Sequence, residues 1–148
     1  MNILIIYGST LGKTARIAGL IASELRNFNH DVTIRNVTKA NVKDFDEYDL
    51  IILGSSTWDD GMLQFDFRPF AETLKNTDLS KYKFLIFCLG SEKYPHPFYA
   101  GKKLEEVVLR SGGKIISEVF NIDLDHDDEE TLRDNEVIEW VSVINTKL

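Results

Sequence analysis

The chain begins with an apolar segment that runs directly into a turn rich in glycine and hydroxyl residues. Residues 2–7 read Asn-Ile-Leu-Ile-Ile-Tyr, and residues 8–14 read Gly-Ser-Thr-Leu-Gly-Lys-Thr. The residues that follow place Ile17, Ile21 and Leu25 at helical spacing, as on one face of an amphipathic helix. The sequence therefore predicts a strand, a tight turn and a helix in direct succession.

This turn has the chemistry of a phosphate cradle. Backbone N–H groups at the start of a helix have no intrahelical partner, and the helix dipole adds about half a positive charge there. Gly8 and Gly12 allow the backbone to bend closely around a phosphate, the serine and threonines of the turn supply hydroxyl donors, and Lys13 is the only formal positive charge nearby. The alternative is an ordinary helix capped by Ser or Thr, but the strand-turn-helix context favours a ligand site.

Two other glycine-rich phosphate loops are excluded by spacing. The P-loop needs one more residue before its Gly-Lys-Thr than the segment between Gly8 and Gly12 provides. A P-loop enzyme also needs a carboxylate for magnesium after a nearby strand, whereas the apolar run at residues 50–53 is followed by Gly-Ser-Ser. The dinucleotide fingerprint Gly-x-Gly-x-x-Gly is absent. The loop is therefore expected to hold phosphate through N–H groups and hydroxyls.

Composition indicates one acidic domain. With 148 residues, 43% of them hydrophobic, the chain is expected to form a single domain over residues 1–148. The formal net charge of -7 argues against nucleic acid as a partner, because binding to a phosphate backbone needs clustered Lys and Arg. No apolar stretch approaches membrane-spanning length. We therefore expect a soluble, cytoplasmic monomer with no membrane partner, in which the single cysteine, Cys88, is a buried, reduced thiol.

Short apolar runs alternate with segments of helical periodicity along the chain. The runs predict strands at residues 2–7, 31–37, 50–55, 84–89 and 115–120, and the periodic segments predict helices at residues 14–28, 67–75, 102–111 and 129–147. Between residues 38 and 49 we expect a polar connection anchored by Val42, Phe45 and Tyr48. Apolar strands buried on both faces need helices on both sides, so the predicted fold is α/β with a doubly wound parallel sheet.

In such a sheet, ligands bind beyond the carboxyl ends of the strands, where the loops at residues 8–14, 54–61 and 89–100 are expected to meet. The second loop contains Trp58, and the third contains Tyr94, Phe98 and Tyr99. A single loop aromatic is more often a packing lid. Aromatic residues on two ligand-facing loops beside a phosphate cradle suit a flat ring system with a phosphorylated tail.

These loops resemble those of the flavodoxins, and the resemblance covers essentially the whole chain. Residues 9–14 are similar to the family's phosphate loop, residues 55–58 to the loop whose Trp covers one flavin face, and residues 89–91 with Tyr94 to the loop whose Tyr covers the other. The segment at residues 47–54 also has the family's appearance. With an unbroken fifth strand and only 148 residues, the chain resembles the short-chain flavodoxins.

The resemblance implies a five-stranded sheet in the order 2-1-3-4-5 and non-covalently bound flavin mononucleotide as the cofactor. The implied function is low-potential, one-electron transfer between larger redox proteins, a reductase and an electron acceptor, without enzymatic activity. No metal is expected. The implied cofactor-binding residues are Ser9, Thr10, Leu11, Gly12, Lys13, Thr14, Ser55, Ser56, Thr57, Trp58, Asp59, Asp60, Gly61, Leu89, Gly90, Ser91, Tyr94, Phe98 and Tyr99.

Three details of the implied site stay open. The stacking aromatic of the third loop is Tyr94, Phe98 or Tyr99, with Tyr94 preferred by position. The peptide that the resemblance implies to rotate on reduction joins residues 59 and 60 or residues 60 and 61. Lys13 stands where the family commonly has a neutral polar residue, so its charge either faces solvent or partly neutralises the phosphate.

Other chemistry-bearing residues favour no hydrolytic or metal-dependent function. No nucleophile and base pair is apparent, and the isolated His96 is given no role. The acidic run lacks calcium-loop spacing and is interpreted as charge at a helix N-terminus; it comprises Asp123, Asp125, Asp127, Asp128, Glu129 and Glu130. The acidic charge predicts redox partners with basic surfaces.

Two alternative functions are kept. A small reductase dependent on flavin mononucleotide would need an open substrate pocket over the flavin. An acidic receiver-type signalling domain would need carboxylates at the strand ends near Tyr7 and Leu53, where the sequence has Gly and Ser instead. The receiver is therefore the less favoured of the two.

Overall fold

A parallel β-sheet with helices on both faces forms the centre of the computed structural model, which describes residues 1–124 and 130–148. The strands are β1 (Asn2–Gly8), β2 (Asp31–Asn36), β3 (Leu50–Trp58), β4 (Met62–Leu63), β5 (Lys83–Gly90), β6 (Lys114–Ile115) and β7 (Phe120–Asp123). The helices are α1 (Lys13–Asn27), α2 (Phe67–Lys75), α3 (Tyr99–Arg110) and α4 (Glu130–Asn145). Short 3-10 helices span Val37–Lys39, Val42–Glu47 and Asp59–Gly61. No helix in the described ranges is long and apolar enough to cross a membrane.

The sheet has the doubly wound order. Strand β1 pairs with β2 on one side and β3 on the other, β5 follows β3, and β6 and β7 both pair with β5, all of them parallel. Counting β6 and β7 as one edge strand, and leaving aside the two-residue β4, this is the predicted order 2-1-3-4-5. The chain leaves β1 towards β2 and later crosses back to β3, so the switch point lies between the carboxyl ends of β1 and β3.

Alternate side chains of each strand point into opposite cores. Ile3 and Ile5 belong to one buried cluster, and Leu4 and Ile6 belong to the other, as the two-residue period of a strand requires. Helices α1 and α4 cover the first cluster through Ile17, Ile21, Leu25, Val137, Val141 and Ile144. Helices α2 and α3 cover the second through Phe67, Phe70, Leu74, Leu104 and Val108. The sheet is therefore buried on both faces, as predicted.

The connection between β2 and β3 contains 3-10 turns rather than an α-helix. Phe45 lies in it and is fully buried, with its ring 5.5 Å from that of Tyr82 and 6.1 Å from that of Phe84, both in edge-to-face orientation. Val42 and Tyr48 are partly buried against the same cluster. The prediction that these three residues anchor the segment is confirmed.

The prediction of one unbroken fifth strand over Ile115–Phe120 is wrong. Two short strands, β6 and β7, pair with the two ends of β5, and residues 116–119 between them are bent. Ile115 pairs with Phe84, and Phe120 pairs with Phe87. The chain therefore advances by five residues along the edge while β5 advances by three. An edge strand has a partner on one side only, so extra residues can bulge out without breaking a second ladder.

Strand β3 is longer than predicted. The hydroxyl-rich residues after Ser55 were expected to form a loop, but the strand continues to Trp58, because Thr57 and Trp58 pair antiparallel with Leu63 and Met62 of β4. The predicted helix at residues 67–75 is confirmed, whereas α3 begins at Tyr99 rather than Lys102.

The close packing of Gly54 gives a first testable prediction. A Cβ at this position would collide with the ring of the buried Phe87 on the neighbouring strand. Gly54→Ala should therefore lower the free energy of unfolding by about 1 to 3 kcal/mol, the usual cost of overpacking. Urea unfolding followed by circular dichroism measures it.

Gly19→Ala is the matched control. Gly19 lies inside α1, and nothing is within 4 Å of a Cβ built there. That substitution should raise the free energy of unfolding by about 0.5 to 1 kcal/mol, the helix-propensity difference between the two residues. Equal effects of the two substitutions would contradict the packing argument.

Candidate cofactor site

The turn between β1 and α1 leaves the helix N-terminus without a side-chain cap. Gly12 is the N-cap residue and has a left-handed backbone, with φ of 90°, which favours glycine. The Ser9 hydroxyl oxygen accepts a hydrogen bond from the Gly12 N–H (3.1 Å) and closes the turn. No acidic residue lies in the first turn of α1. The alternative of a helix capped by Ser or Thr is therefore wrong, and the positive end of the helix dipole is available to an anion.

Gly8 has a different role from the one predicted. It is the last residue of β1 rather than part of the bend, and a Cβ there would collide with the side-chain oxygen of Gln64. The glycine therefore makes room for a buried side chain, and Gly12 alone supplies the left-handed bend.

A groove with a cavity volume of about 520 Å³ opens beside this turn. Segments from the carboxyl ends of β1, β3 and β5 form its walls, with Ser9, Thr10, Leu11, Lys13, Thr14, Ser56, Thr57, Trp58, Leu89, Ser91, Lys93, Tyr94 and Leu124 lining it. An adjoining cavity of about 300 Å³ shares seven of these residues and adds Gly90, Pro95 and Pro97. Both volumes are of the order of small-molecule sites. The three loops singled out in the sequence thus meet at one place.

Trp58, in one wall of the groove, is contacted by Arg68, which does not itself line the groove among the described residues. The side chain of Trp58 is 38% exposed, and the guanidinium carbon of Arg68 lies 5.7 Å from the ring centroid. The same guanidinium lies 5.5 Å from the ring of Phe65, and Arg68 Nε donates to the Leu63 carbonyl oxygen (3.0 Å). This cation–π arrangement connects Trp58 to the first turn of α2.

The third loop separates its three aromatic residues. Tyr94 is 62% exposed and lines both cavities. Phe98 is partly buried against the core cluster under α2 and α3. Tyr99 packs beside Gly61, and His96 stacks on its ring at 4.2 Å between centroids. Neither Phe98 nor Tyr99 is among the described residues that line the two cavities, so the geometry favours Tyr94 as the aromatic of this loop.

The turn after Trp58 contains two residues with positive φ. Asp60 has φ of 59° and Gly61 has φ of 85°, and together with Asp59 they form the 3-10 turn that joins β3 to β4. Gly61 has no room for a side chain because a Cβ would lie 2.6 Å from Tyr99 Cβ. This turn directly follows Trp58, but none of its three residues is among the described residues that line the two cavities. Its left-handed backbone at Asp60 is a strained position for a residue other than glycine.

Ser55 and Cys88 lie beneath the groove. Ser55 is fully buried, and its hydroxyl donates to the Ser56 carbonyl oxygen (2.8 Å). The Cys88 sulfur lies 3.1 Å from the Thr57 hydroxyl, and burial raises the pKa of the Cys88 thiol to about 11. The prediction that Cys88 is a buried thiol is confirmed. A thiol with that pKa is protonated at neutral pH and is a poor nucleophile.

Several residues near the groove were missed in the sequence. Gln64, Leu124 and Arg133 are far from the motifs in the chain, whereas Arg16 and Lys93 are close to them but belong to no recognised motif. Arg16 and Arg133 line a neighbouring cavity of about 370 Å³ beside Gly12 and Lys13, so Lys13 is not the only cation near the turn. Lys93 and Leu124 line the main groove. Gln64 is fully buried behind Thr10, and its Nε2 donates to the Thr10 hydroxyl oxygen (3.0 Å). The glycine at position 8 was the one sequence signal that Gln64 packs closely against the end of β1.

The acidic run is described only in part. Asp123 belongs to β7, whereas Asp125, Asp127, Asp128 and Glu129 lie outside the described residues, and the side chain of Glu130 is not described. Among the residues that are described, no cluster of three or more His, Cys, Asp or Glu side chains could hold a metal ion.

Comparison with known proteins identifies a single family. The family model described as Flavodoxin matches residues 5–136. A flavodoxin of Maridesulfovibrio salexigens is 34% identical over 98% of this chain and 97% of its own length. The crystal structure of oxidised flavodoxin 2 from Bacillus cereus has a TM-score of 0.90 and 32% identity, with full coverage of both chains. A Fusobacterium nucleatum flavodoxin bound to flavin mononucleotide shares the fold, with a TM-score of 0.82 and 20% identity over 99% of this chain and 98% of that one.

The strained backbone at Asp60 predicts a gain in stability on substitution by glycine. Asp60→Gly should raise the free energy of unfolding of the ligand-free protein by about 0.5 to 1 kcal/mol, since glycine adopts a positive φ without a steric cost. Asn29→Gly is the positive control, because Asn29 also has a positive φ (67°) but lies in the turn after α1 rather than in the turn after Trp58. If only Asn29→Gly stabilises the protein in urea unfolding, Asp60 is held by contacts that offset its strain.

Proposed function

The chain belongs to the flavodoxin family of electron-transfer proteins, and we propose that it is a low-potential, one-electron carrier that binds flavin mononucleotide non-covalently. The observation that supports this most directly is the groove itself. A bare helix N-terminus lies at one part of its wall, and Trp58 and Tyr94 form other parts. A phosphorylated tail and a flat aromatic ring are the two groups that such a groove accommodates.

The residues of the groove fit the chemistry of this cofactor. The first N–H groups of α1 and the hydroxyls of Ser9, Thr10 and Thr14 would bind the phosphate, and Lys13 adds a positive charge in the same wall. Trp58 and Tyr94 would cover the ring and exclude water from it. Leu89, Gly90 and Ser91 would line the ring pocket at the end of β5. When bound, flavin mononucleotide would supply reversible one-electron redox chemistry at low potential, which no amino-acid side chain supplies.

We propose a low reduction potential for the bound flavin because of the acidic residues around the groove. Glu92 stands between Ser91 and Lys93, and Asp123 directly precedes Leu124, so both are next in the chain to residues that line the groove. Asp60 stands two residues after Trp58, and these three acids are called the acidic rim. The protein carries a formal net charge of -7. Negative surroundings disfavour the addition of further negative charge in a poorly hydrated site. Lys93 lines the groove as well and opposes this effect locally. The balance predicts that the second electron is the harder one to add.

We propose a carrier rather than an enzyme, acting between a reductase and an electron acceptor with basic surfaces. Trp58 and Tyr94 occupy the walls where a reductase would need an open substrate pocket. A receiver-type domain would need carboxylates just after Tyr7 of β1 and Leu53 of β3, where Gly8, Gly54 and Ser55 stand. We also propose that the protein is a cytoplasmic monomer, which agrees with the buried, unpaired thiol of Cys88.

Anaerobic spectroelectrochemistry of the protein loaded with flavin mononucleotide tests this function. Two separate one-electron steps, with the second at the lower potential, are expected for the carrier. Rapid oxidation of NADPH by the loaded protein alone, with turnover of a small acceptor, would support the reductase instead.

The phosphate loop predicts discrimination between flavin mononucleotide and riboflavin. Riboflavin lacks the phosphate and leaves the N–H and hydroxyl donors unpaired, so it should bind at least about 100-fold more weakly, the effect of two charge-assisted hydrogen bonds. Thr14→Ala should cost about 1 kcal/mol of affinity for flavin mononucleotide, whereas Thr14→Ser keeps the hydroxyl and should cost less. Flavin fluorescence titration measures each affinity, and equal affinities for the two flavins would rule out a phosphate site here.

The aromatic wall predicts a loss of affinity in Trp58→Ala. Removal of the ring should weaken binding of flavin mononucleotide by about 1 to 3 kcal/mol, taking the stacking of a base on an aromatic side chain as the guide. It should also raise the potential of the second one-electron step, because water then reaches the ring. Trp140→Phe is the control, since Trp140 stacks on Phe120 at 4.8 Å, away from the groove. An unchanged potential in Trp58→Ala would count against its assignment as the ring cover.

The acidic rim predicts that electron transfer to a basic partner slows as salt increases. Cytochrome c serves as a basic one-electron acceptor in stopped-flow measurements, and Asp60→Asn with Glu92→Gln should flatten the salt dependence of the rate. Asp31→Asn with Glu47→Gln is the matched control, because these exposed residues lie at the opposite, amino end of the sheet. Equal salt dependence in the two double variants would mean that the rim does not steer the encounter.

A further inference from the structure

Gln64 is a fully buried polar residue that connects the phosphate loop to the start of α2. Its side-chain Nε2 donates to the Thr10 hydroxyl oxygen and to an Asp66 carboxylate oxygen, both at 3.0 Å. Its side-chain oxygen accepts from the Phe67 N–H (3.2 Å). Its own N–H donates to the Ser55 hydroxyl oxygen (3.2 Å). A buried amide with all of these groups satisfied has one orientation.

The direction of the bond to Thr10 follows from this network. The Phe67 N–H donates both to the Gln64 backbone carbonyl oxygen (2.9 Å) and to the Gln64 side-chain oxygen (3.2 Å). The Asp66 carboxylate oxygen accepts from the other side of the amide, so the amide oxygen faces α2 and the NH2 group faces Thr10 and Asp66. An NH2 group can only donate, so the Thr10 hydroxyl oxygen must accept. The hydroxyl hydrogen of Thr10 is then directed to another acceptor. Thr10 is exposed and lines the groove, where a phosphate oxygen would be such an acceptor.

The chain makes space for this arrangement. Gln64 follows β4 and packs against the end of β1, where Gly8 has no side chain to displace its amide oxygen. Gln64 thereby contacts the strand before the phosphate loop and the loop itself through Thr10. It does not line the groove among the described residues, so any effect it has on a ligand passes through another side chain.

We propose that Gln64 is a positioning residue that sets the Thr10 hydroxyl as a hydrogen-bond donor to the phosphate group of the cofactor. The inference rests on the proposed binding of flavin mononucleotide and deepens it. It makes Gln64 a determinant of selectivity for phosphorylated flavin, in addition to its structural contact with the start of α2.

The ratio of affinities for flavin mononucleotide and riboflavin separates positioning from structural support. Gln64→Met keeps the length of the side chain and removes the donor to Thr10. It should lower the ratio about tenfold, the effect of one charge-assisted hydrogen bond to the phosphate, and leave riboflavin affinity nearly unchanged. A purely structural role would weaken the binding of both flavins alike and leave the ratio constant.

A double-mutant cycle tests whether Gln64 acts through Thr10. Thr10→Val removes the hydroxyl and keeps the shape, so Gln64→Met should have no further effect on the ratio in that background. Thr10→Ser keeps the hydroxyl and should preserve most of the selectivity. A fall in the ratio that is equal in both backgrounds would overturn the inference.

A second substitution keeps the test decisive if Gln64→Met fails to fold. Gln64→Glu retains an acceptor for the Phe67 N–H but replaces the donor to Thr10 by an acceptor. It should lower the ratio more in the presence of Thr10 than in the Thr10→Val background, because repulsion between the new carboxylate and the phosphate acts in both backgrounds and positioning acts only through the hydroxyl. Urea unfolding of the ligand-free variants shows which of them are folded. A wild-type protein that binds both flavins equally would overturn the proposed cofactor site, whereas selective wild-type binding with an unchanged ratio in both Gln64 variants would overturn only the role of Gln64.

Discussion

The hydrogen-bond register of the central strands is the constraint on which the rest of this molecule depends. Gly8 pairs with Ser55, and Ser55 pairs with Cys88, so the carboxyl ends of β1, β3 and β5 lie in one row. Helix α1 connects β1 to β2 on one side of β1, whereas β3 and β5 lie on the other side. A crevice opens at the carboxyl ends of β1 and β3, where the connections after these two strands run in opposite directions. Backbone pairing alone therefore brings together loops that are some 40 residues apart in the chain.

Close packing at the ends of these strands depends on the absence of side chains. Gly8 makes room for Gln64, Gly54 for the ring of Phe87, and Gly90 for the carbonyl of Pro97. Each of these glycines lies in a different central strand: Gly8 and Gly90 are the last residues of β1 and β5, and Gly54 lies in the middle of β3, beside Tyr7 of β1. They are there for close approach, not for unusual backbone angles; the left-handed conformation is confined to positions such as Gly12 and Gly61 in the turns. The strand ends can thus support the loops from directly below.

The groove has two chemically different ends. The phosphate end combines helix N–H groups and hydroxyls with nearby cations, which include Lys13, Arg16 and Arg133. The ring end is formed by Trp58, backed by Arg68, and by Tyr94. The formal net charge of the whole protein is -7. The proposed function uses both ends, because the cationic end suits an anionic tail and the aromatic end suits a flat ring.

The sequence by itself determined the fold class and the loops that meet at the groove, because apolar runs, helical periodicity and glycine-rich turns are local signals. The strand order followed from the resemblance to the flavodoxins and not from any local signal. The sequence did not determine the break in the edge strand, since nothing local shows that residues 116–119 bulge away from a single partner. It left the choice between Tyr94, Phe98 and Tyr99 open, with Tyr94 preferred by position, and packing separates them because Phe98 turns to the core and Tyr99 to Gly61. The network of Gln64 and the approach of Arg133 likewise belong to the tertiary structure, because each joins residues whose contact depends on how distant elements pack.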